Sequence, residues 1–212
     1  MAVKKGTEIA TIDVALVSMQ SYEQDADELI LDTANHIQVE VQTETQDAVK
    51  LVVKGRLIAQ KGEQVTITGN KITLTDNVFN DEEVLLLQGG TVLRDQTTND
   101  FIGYRPPVVG ATGDDAKGKI FKLKAYSAIY NAAGVLTGYE RITYPNCQGQ
   151  PIAFESEDGT FRATDYVINS APAEGESPYE LDIIGVNDLP HVPDESDDSD
   201  DDSNVTPVNP SP

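Results

Sequence analysis

Residues 36–57 read HIQVEVQTETQDAVKLVVKGRL, and most of this stretch alternates between polar and apolar side chains. In the first half the odd positions are apolar or β-branched and the even positions are polar, which is typical of a half-buried strand. The second half keeps its apolar residues mainly at odd positions, with Val52 as the exception. The pattern predicts a long hairpin whose tip lies near Gln46, Asp47 and Ala48.

Folding this hairpin about Asp47 sets Val41 opposite Val53 and Thr43 opposite Leu51 on an apolar face. The polar face then pairs Glu44 with Lys50, Glu40 with Lys54, and Gln38 with Arg56. Opposite charges that face each other across two strands stabilise the pairing, and a slip of one residue would expose the apolar row to water. We therefore expect this register.

Alternation continues through most of the chain up to residue 185. A second hairpin is predicted over residues 65–74, because Gly69-Asn70 between alternating residues favours a two-residue turn. Turn-forming residues separate the further predicted strands, which cover residues 120–130, 136–144, 152–155, 161–169 and 179–185. The spacing predicts a mostly β protein, a sandwich or barrel with long hairpins.

One short α-helix is expected beside the strands. Asn80 can cap its N-terminus, Glu83 stands three residues on as in a capping box, and Phe79 and Val84 occupy the hydrophobic-staple positions. The glycines at 89–90 would end it. Residues 94–118 have weak periodicity and many breakers, so at least part of that segment is predicted to be a long loop.

The composition divides the chain into a domain over residues 1–189 and a tail over residues 190–212. The chain carries 15 Lys and Arg against 36 Asp and Glu, and the tail holds seven of the acids with no Lys or Arg. The tail could be a solvated collar or a weak calcium site, but a disordered acidic tail explains it more simply. The body still has a net charge of −14, which argues against binding nucleic acid through phosphate contacts.

Chemistry-bearing motifs are absent from the sequence. It has no P-loop, GxGxxG, HExxH, GxSxG or CxxC, and its histidines are only His36 and His191. Cys147 lies in a Pro/Gly-rich turn with no histidine nearby, so a half-buried turn cysteine is favoured over a nucleophile. Residues 155–159 loosely resemble a calcium loop, but an Asp158-Gly159 hairpin turn explains them. We expect no enzyme activity, no catalytic or metal-binding residues and no cofactor.

The N-terminus is basic at first, but Glu8 and Asp13 interrupt the apolar stretch that a signal peptide would need. No apolar run approaches the ~20 residues that cross a bilayer. We therefore expect an unprocessed, soluble protein that does not contact membranes.

Two stretches resemble the major tail tube proteins of long-tailed bacteriophages. The first is ITLTDNVFNDEEVLLLQGGTV, residues 72–92, a strand followed by an acidic-capped helix and a Gly-Gly stop. The second is GYERITYPNCQGQPIAFESEDGTFRATDYVINSAPAEGESPYELD, residues 138–182, in which strands flank an Asp-Gly hairpin and an acidic connection. With the first hairpin included, the resemblance covers most of residues 35–185.

The resemblance implies a β-sandwich or barrel flanked by one helix, whose subunits self-assemble into hexameric rings. Hairpins of the ring would join in an inner β-barrel, and stacked rings would form a hollow tail tube for DNA ejection, with DNA passing without specific binding. The protein would be made in the host cytoplasm and end in the virion tail, with tape measure and tail terminator proteins as further partners. Residues 94–118 would form an arm between rings or subunits.

By the same resemblance, the polar face of the first hairpin lines the lumen, with Gln38, Glu40, Gln42, Glu44, Lys50, Lys54 and Arg56 as the candidates. Lys122 and Lys124 on a later strand add positive charge. We expect a polar lumen with paired charges rather than a strongly acidic one. The alternative is a β-sandwich binding or adhesion module, which would stay monomeric and bind a ligand.

Overall fold

The computed structural model describes residues 9–24, 26–110, 117–154, 158–159 and 162–191. Its one α-helix in these ranges, α1, covers Asp81–Gln88, and a 3-10 helix covers Val186–Asp188. The strands are β1 (Thr11–Ser21), β2 (Glu28–Leu31), β3 (Ala34–Gln46), β4 (Val49–Val53), β5 (Arg56–Lys61), β6 (Gln64–Asp76), β7 (Thr91–Arg94), β8 (Phe101–Arg105), β9 (Phe121–Tyr130), β10 (Leu136–Gly149), β11 (Thr164–Ser170) and β12 (Glu180–Ile184). The predicted mostly β fold with one short helix is confirmed.

Eight strands form one antiparallel sheet in the order β2-β1-β9-β10-β11-β6-β3, with β12 also paired to β10. The two strands at the ends of this order, β2 and β3, are joined only by Asp32 and Thr33. Their neighbouring residues Leu31 and Ala34 are buried in the same core cluster. The sheet therefore curls back on itself around its core, like a barrel.

The core lies inside this curled sheet, and α1 packs against it through Val84 and Leu87. Gly149 of β10 lies directly against the helix, because a Cβ at that position would stand 2.5 Å from the Leu87 carbonyl oxygen. The Lys119 amide also donates to the Leu86 carbonyl at 2.9 Å. The C-terminal turn of α1 is thus fixed by close backbone approach.

The N-terminus of α1 is capped as predicted, but without the full capping box. The Asn80 side chain accepts hydrogen bonds from the amides of Glu82 and Glu83 at 3.0 and 3.3 Å. The Glu83 carboxylate makes no reciprocal bond, because the side chain is buried and both of its oxygens lack a partner. Glu83, Val84 and Leu87 form the buried stripe of the helix.

The predicted pairing of the first hairpin is wrong. The strand β3 pairs with β6, and β4 pairs with β5 in a separate two-stranded sheet. Both β3 and β6 have 13 residues, so they match along their whole length, while β4 has five. The turn falls at Lys54-Gly55, where φ angles of 47° and 78° suit the two-residue hairpin turns that match strand twist.

The predicted turn at Gly69-Asn70 is also wrong, since both residues lie inside β6. The register to β3 shifts here, with Gln42 opposite Gly69 and Thr43 opposite Ile67, so Thr68 is the extra residue of a β-bulge. Glycine is required at this point, because a Cβ on Gly69 would stand 2.5 Å from the Ser170 carbonyl oxygen. A Gly-Asn pair between alternating residues serves a bulge as well as a turn.

Three other segments differ from the prediction or lie partly outside the described residues. Residues 152–154 are not a strand, and residues 155–157 lie outside the description. The predicted loop over 94–118 contains part of a hairpin, in which β7 pairs with β8 around a turn closed by the Asp95 side chain. The tail prediction concerns residues 190–212, of which 192–212 lie outside the description.

Candidate assembly surface

A long two-stranded projection is exposed on both of its faces. We call the ladder of residues 39–46 of β3 and 64–69 of β6 the arm, and the β4–β5 hairpin between them the tip. Residues 70–76 of β6 pair with β11, but this pairing stops at Asn70 and Ser170. The arm therefore leaves the body at the Gly69 bulge, and both of its faces are exposed except at Gly69 itself.

One face of the arm is apolar and continues the core face of the sheet. Val39 lies opposite the buried Ile72, so their side chains share a face. The bulge then changes the parity of β6, which brings Ile67 and Val65 onto the same face as Val39 and Val41. Val39, Val41, Val65 and Ile67 are 36%, 48%, 59% and 45% exposed. An exposed row of β-branched residues is a candidate interface.

The opposite face of the arm is polar and carries four of the predicted lumen residues. Gln38, Glu40, Gln42 and Glu44 follow one another on this face of β3, across from Thr73, Lys71, Gly69 and Thr66 of β6. The predicted pairs Glu44–Lys50, Glu40–Lys54 and Gln38–Arg56 are not formed. Glu40 instead lies opposite Lys71, which leaves Glu44 without an opposing base in the ladder.

The other three predicted lumen residues are on the tip. Lys50 lies on β4 opposite Gln60, Lys54 is in the turn, and Arg56 begins β5 opposite Val53. Together with Lys61 they give residues 49–61 four bases and no acid in a chain of net charge −21. The tip also exposes six large apolar side chains, those of Val49, Leu51, Val52, Val53, Leu57 and Ile58. That all seven candidates line a lumen stays a prediction.

Lys122 and Lys124, expected to add charge to the lumen, belong to the body of the protein. They lie on β9, on the face opposite the core residue Leu123. Lys124 forms an ion pair with Glu28 at 2.8 Å, and the Lys122 ammonium lies 5.8 Å from the centre of the Tyr22 ring. Neither lysine is part of the arm.

Three strands of the sheet, β2, β3 and β12, each have a single strand partner within the described residues and so keep a free edge. The strand β3 has β6 as its one strand partner, and β12 has only β10. The strand β12 also exposes Leu181 and Ile183 beside its edge. Unpaired strand edges are templates for pairing with another chain.

The catalytic and metal-binding candidates lie on strands, in a turn and at the end of the described chain. Cys147 is fully buried in a bulge of β10, rather than half-buried in a turn, and burial raises the pKa of its thiol to about 12. His36 lies near the start of β3, as expected, and His191 is at the end of the described chain. Asp158-Gly159 is a turn, with φ of 79° at Gly159. Within the described ranges, no three His, Cys, Asp or Glu side chains group as metal ligands.

A cluster of buried ionisable side chains lies near the end of β6 that is farthest from the arm. Asp76 of β6, Glu83 of α1 and Tyr166 of β11 are all buried, and burial raises the pKa of Glu83 to about 8. The burial of Glu83 could have been predicted from its spacing to Val84 and Leu87, because these three positions share one stripe of a helix.

Comparison with known proteins gives no sequence match. No protein-family model matches the chain, and no curated protein does. None of the helices in the described ranges has the length and hydrophobicity to span a bilayer.

Solved structures give weak matches to parts of phage-tail-like particles. The chain is similar to one in the cryo-EM structure of the anti-feeding prophage cap, the tube terminating cap, with TM-score 0.39, 9% identity, and coverage of 86% of this chain and 96% of that one. A chain of the anti-feeding prophage baseplate gives TM-score 0.35 and 6% identity over 87% and 99%. A chain of the sheath-tube complex of an extracellular contractile injection system gives 0.36 and 9% over 81% and 90%. Scores this low do not establish a common fold.

Proposed function

We propose that this protein is a structural subunit that self-assembles into rings stacked as a hollow tail tube, for the passage of DNA. The observation that carries the proposal is the arm, whose apolar row is exposed on a ladder that projects from the body. In the assembly, a neighbouring subunit would cover this row. The proposal includes no catalysis and no cofactor.

The free strand edges support ring formation. Pairing the free edge of β3 with β12 of a neighbouring copy would use a different edge on each partner. Such a heterologous contact repeats around a ring until it closes, and closure removes exposed edges. The resemblance implies that the ring closes with six subunits.

A tube needs a second contact, along its axis, and the tip supplies a separate surface for it. The tip is apolar and basic, while the remainder of the chain carries 11 Lys and Arg against 36 Asp and Glu. Attraction between a basic tip and an acidic body favours binding to another copy. In this arrangement the apolar face of the arm turns toward neighbours and the polar face, with Glu40 and Glu44, toward the lumen. Tape measure and tail terminator proteins would be partners in the virion tail.

Electron microscopy of the concentrated, negatively stained protein tests the proposal. Rings or hollow filaments are expected. A protein that remains monomeric at high concentration in sedimentation, and shifts only with a ligand, would contradict it and favour the binding module.

Deleting the tip separates the two contacts. Because Gln46 and Gln64 are paired residues at the ends of the arm, residues 47–63 can be replaced by Asn-Gly, which closes the ladder with a two-residue turn. We expect this variant to form rings but no filaments. The control replaces Gln60 by Thr, which keeps the length, the turn and all four bases of the tip, and it should still form filaments.

A further inference from the structure

Three ionisable side chains are buried where α1 packs against the sheet, near the end of β6 that is farthest from the arm. Glu83 is 0% exposed, and Asp76 and Tyr166 are each 1% exposed. Four of their oxygens have no hydrogen-bond partner, namely Asp76 Oδ2, both Glu83 carboxylate oxygens and Tyr166 Oη. Buried polar groups in native proteins are normally paired, so this concentration of unpaired oxygens requires an explanation.

Each of the three side chains comes from a different element. In the ladder between β6 and β11, Tyr166 lies opposite Leu74 and Thr164 lies opposite Asp76, so Tyr166 and Asp76 share the core face. Asp76 Oδ1 accepts a hydrogen bond from the Val78 amide at 3.1 Å, which holds that carboxyl group in place. The neutral Thr164 is the other polar side chain on the core face of this part of β11, while Asp165 lies on the opposite face and accepts a hydrogen bond from the Thr75 hydroxyl.

No base neutralises Glu83 among the described residues. The charged group that faces it is Asp76, and Tyr166 Oη lies near it without a hydrogen bond of normal geometry. The other charges around the start of α1 are engaged or exposed: Asp81 pairs with Arg94, Glu82 is exposed, and Arg162 lies over the Phe79 ring. Two ionised carboxylates in this environment would be strongly unfavourable.

We propose that Glu83 carries a proton where it is buried against Asp76 and Tyr166, and that this proton holds α1 against β6 and β11. With the proton in place, the Glu83 carboxyl group is neutral and can donate a hydrogen bond to Asp76 or to Tyr166. Without it, two negative charges face each other in the core, and α1 detaches from β6 and β11.

The attachment of α1 then depends on pH in a defined direction. Burial first, and the charge of Asp76 second, raise the pKa of Glu83 from 4.5 to about 8, while in a detached helix Glu83 is solvated and regains the lower value. The attached state therefore binds more protons between these two values. Attachment is strongest below pH 4.5, weakens as the pH rises toward 8, and changes no further above it.

Two measurements on the full chain test the proposal. Carbon-13 NMR of the glutamate carboxyl groups should show one that titrates near pH 8, and Glu83→Gln should remove that signal. Hydrogen-exchange protection of the α1 amides should fall by up to about tenfold per pH unit between pH 6 and 8. This loss should be unchanged in the control Glu82→Gln, whose side chain is exposed, and absent in Glu83→Gln.

The proposal is overturned if the carboxyl group of Glu83 titrates near 4.5, or if α1 protection is independent of pH. Should Glu83→Gln fail to fold, Asp76→Asn provides the same test, because removal of the facing charge must lower the pH at which Glu83 titrates. An unchanged midpoint in that variant would also overturn it. These readouts concern one helix and not assembly, so they remain decisive whether or not the chain forms rings.

Discussion

Replacing Val65 and Ile67 with threonine should weaken assembly without weakening the fold of the subunit. The two side chains are 59% and 45% exposed on the apolar face of the arm. Full burial of such a side chain contributes about 1.5–3 kcal/mol, so covering the exposed half of each contributes about 1 kcal/mol, or about 2 kcal/mol per contact. The double variant should therefore need an about 30-fold higher protein concentration to form rings.

Sedimentation velocity across a concentration series measures this threshold directly. Gln42→Thr with Gln46→Thr is the matched control, because it places the same residue type on the polar face of the same arm. The control should assemble as the parent does, and the melting temperatures of both variants should stay close to that of the parent. Equal thresholds for the two double variants would refute the assignment of the apolar face to the interface.

Three further outcomes concern the body. Gly149→Ala should lower the free energy of unfolding in urea by about 2 kcal/mol, because the new Cβ would stand 2.5 Å from the Leu87 carbonyl oxygen and the helix backbone must shift. Cys147 should react slowly with a thiol reagent at pH 8 in the native protein and quickly in urea, because burial raises its pKa to about 12. Asn80→Ala should cost about 1 kcal/mol in thermal unfolding through loss of the helix cap, and Asn80→Asp should restore it.

Local features of the sequence were sufficient for the helix and for most strands after residue 35. Alternation identified β3, β6, β9, β10, β11 and β12, but it did not identify β1, β2, β7 and β8, and residues 152–154 are not the strand it predicted. Asn80 capped the helix as its type and position predicted. Strand partners were harder to predict, because alternation states which face a residue takes but not which strand lies beside it. The five-residue β4 is followed by Lys54-Gly55, and the positive φ angles there close a shorter hairpin than the predicted one.

The odd and even positions of the apolar residues in β6 were a better guide to the bulge than the Gly-Asn pair. Val65 and Ile67 are at odd positions and Ile72 and Leu74 at even positions, so one continuous strand can place all four on one face only with a bulge between them. A turn at the same place would instead fold the two halves together. The choice depends on β3 and β11, which lie far away in sequence.

The buried Glu83 was interpreted from its position three residues after the cap, which is the capping-box position. Glu83 also lies one helical turn before Leu87, and this spacing places it in the buried stripe of the helix. Whether such a side chain caps the helix or is buried depends on the residues that pack against the helix. Here those residues include Asp76 and Tyr166, on strands that the local sequence does not identify.

The bulge at Gly69 also constrains how the length of this projection could vary. Along a ladder of period two, an insertion of one residue inverts every side chain beyond it, and only Thr68 restores the phase between the two halves of β6. Insertions in the ladder must therefore come as matched pairs in both strands, each pair adding about 7 Å of reach. Deleting Thr68 alone would have the opposite effect: it would keep the length nearly constant while exchanging the solvent-facing and partner-facing sides of one strand.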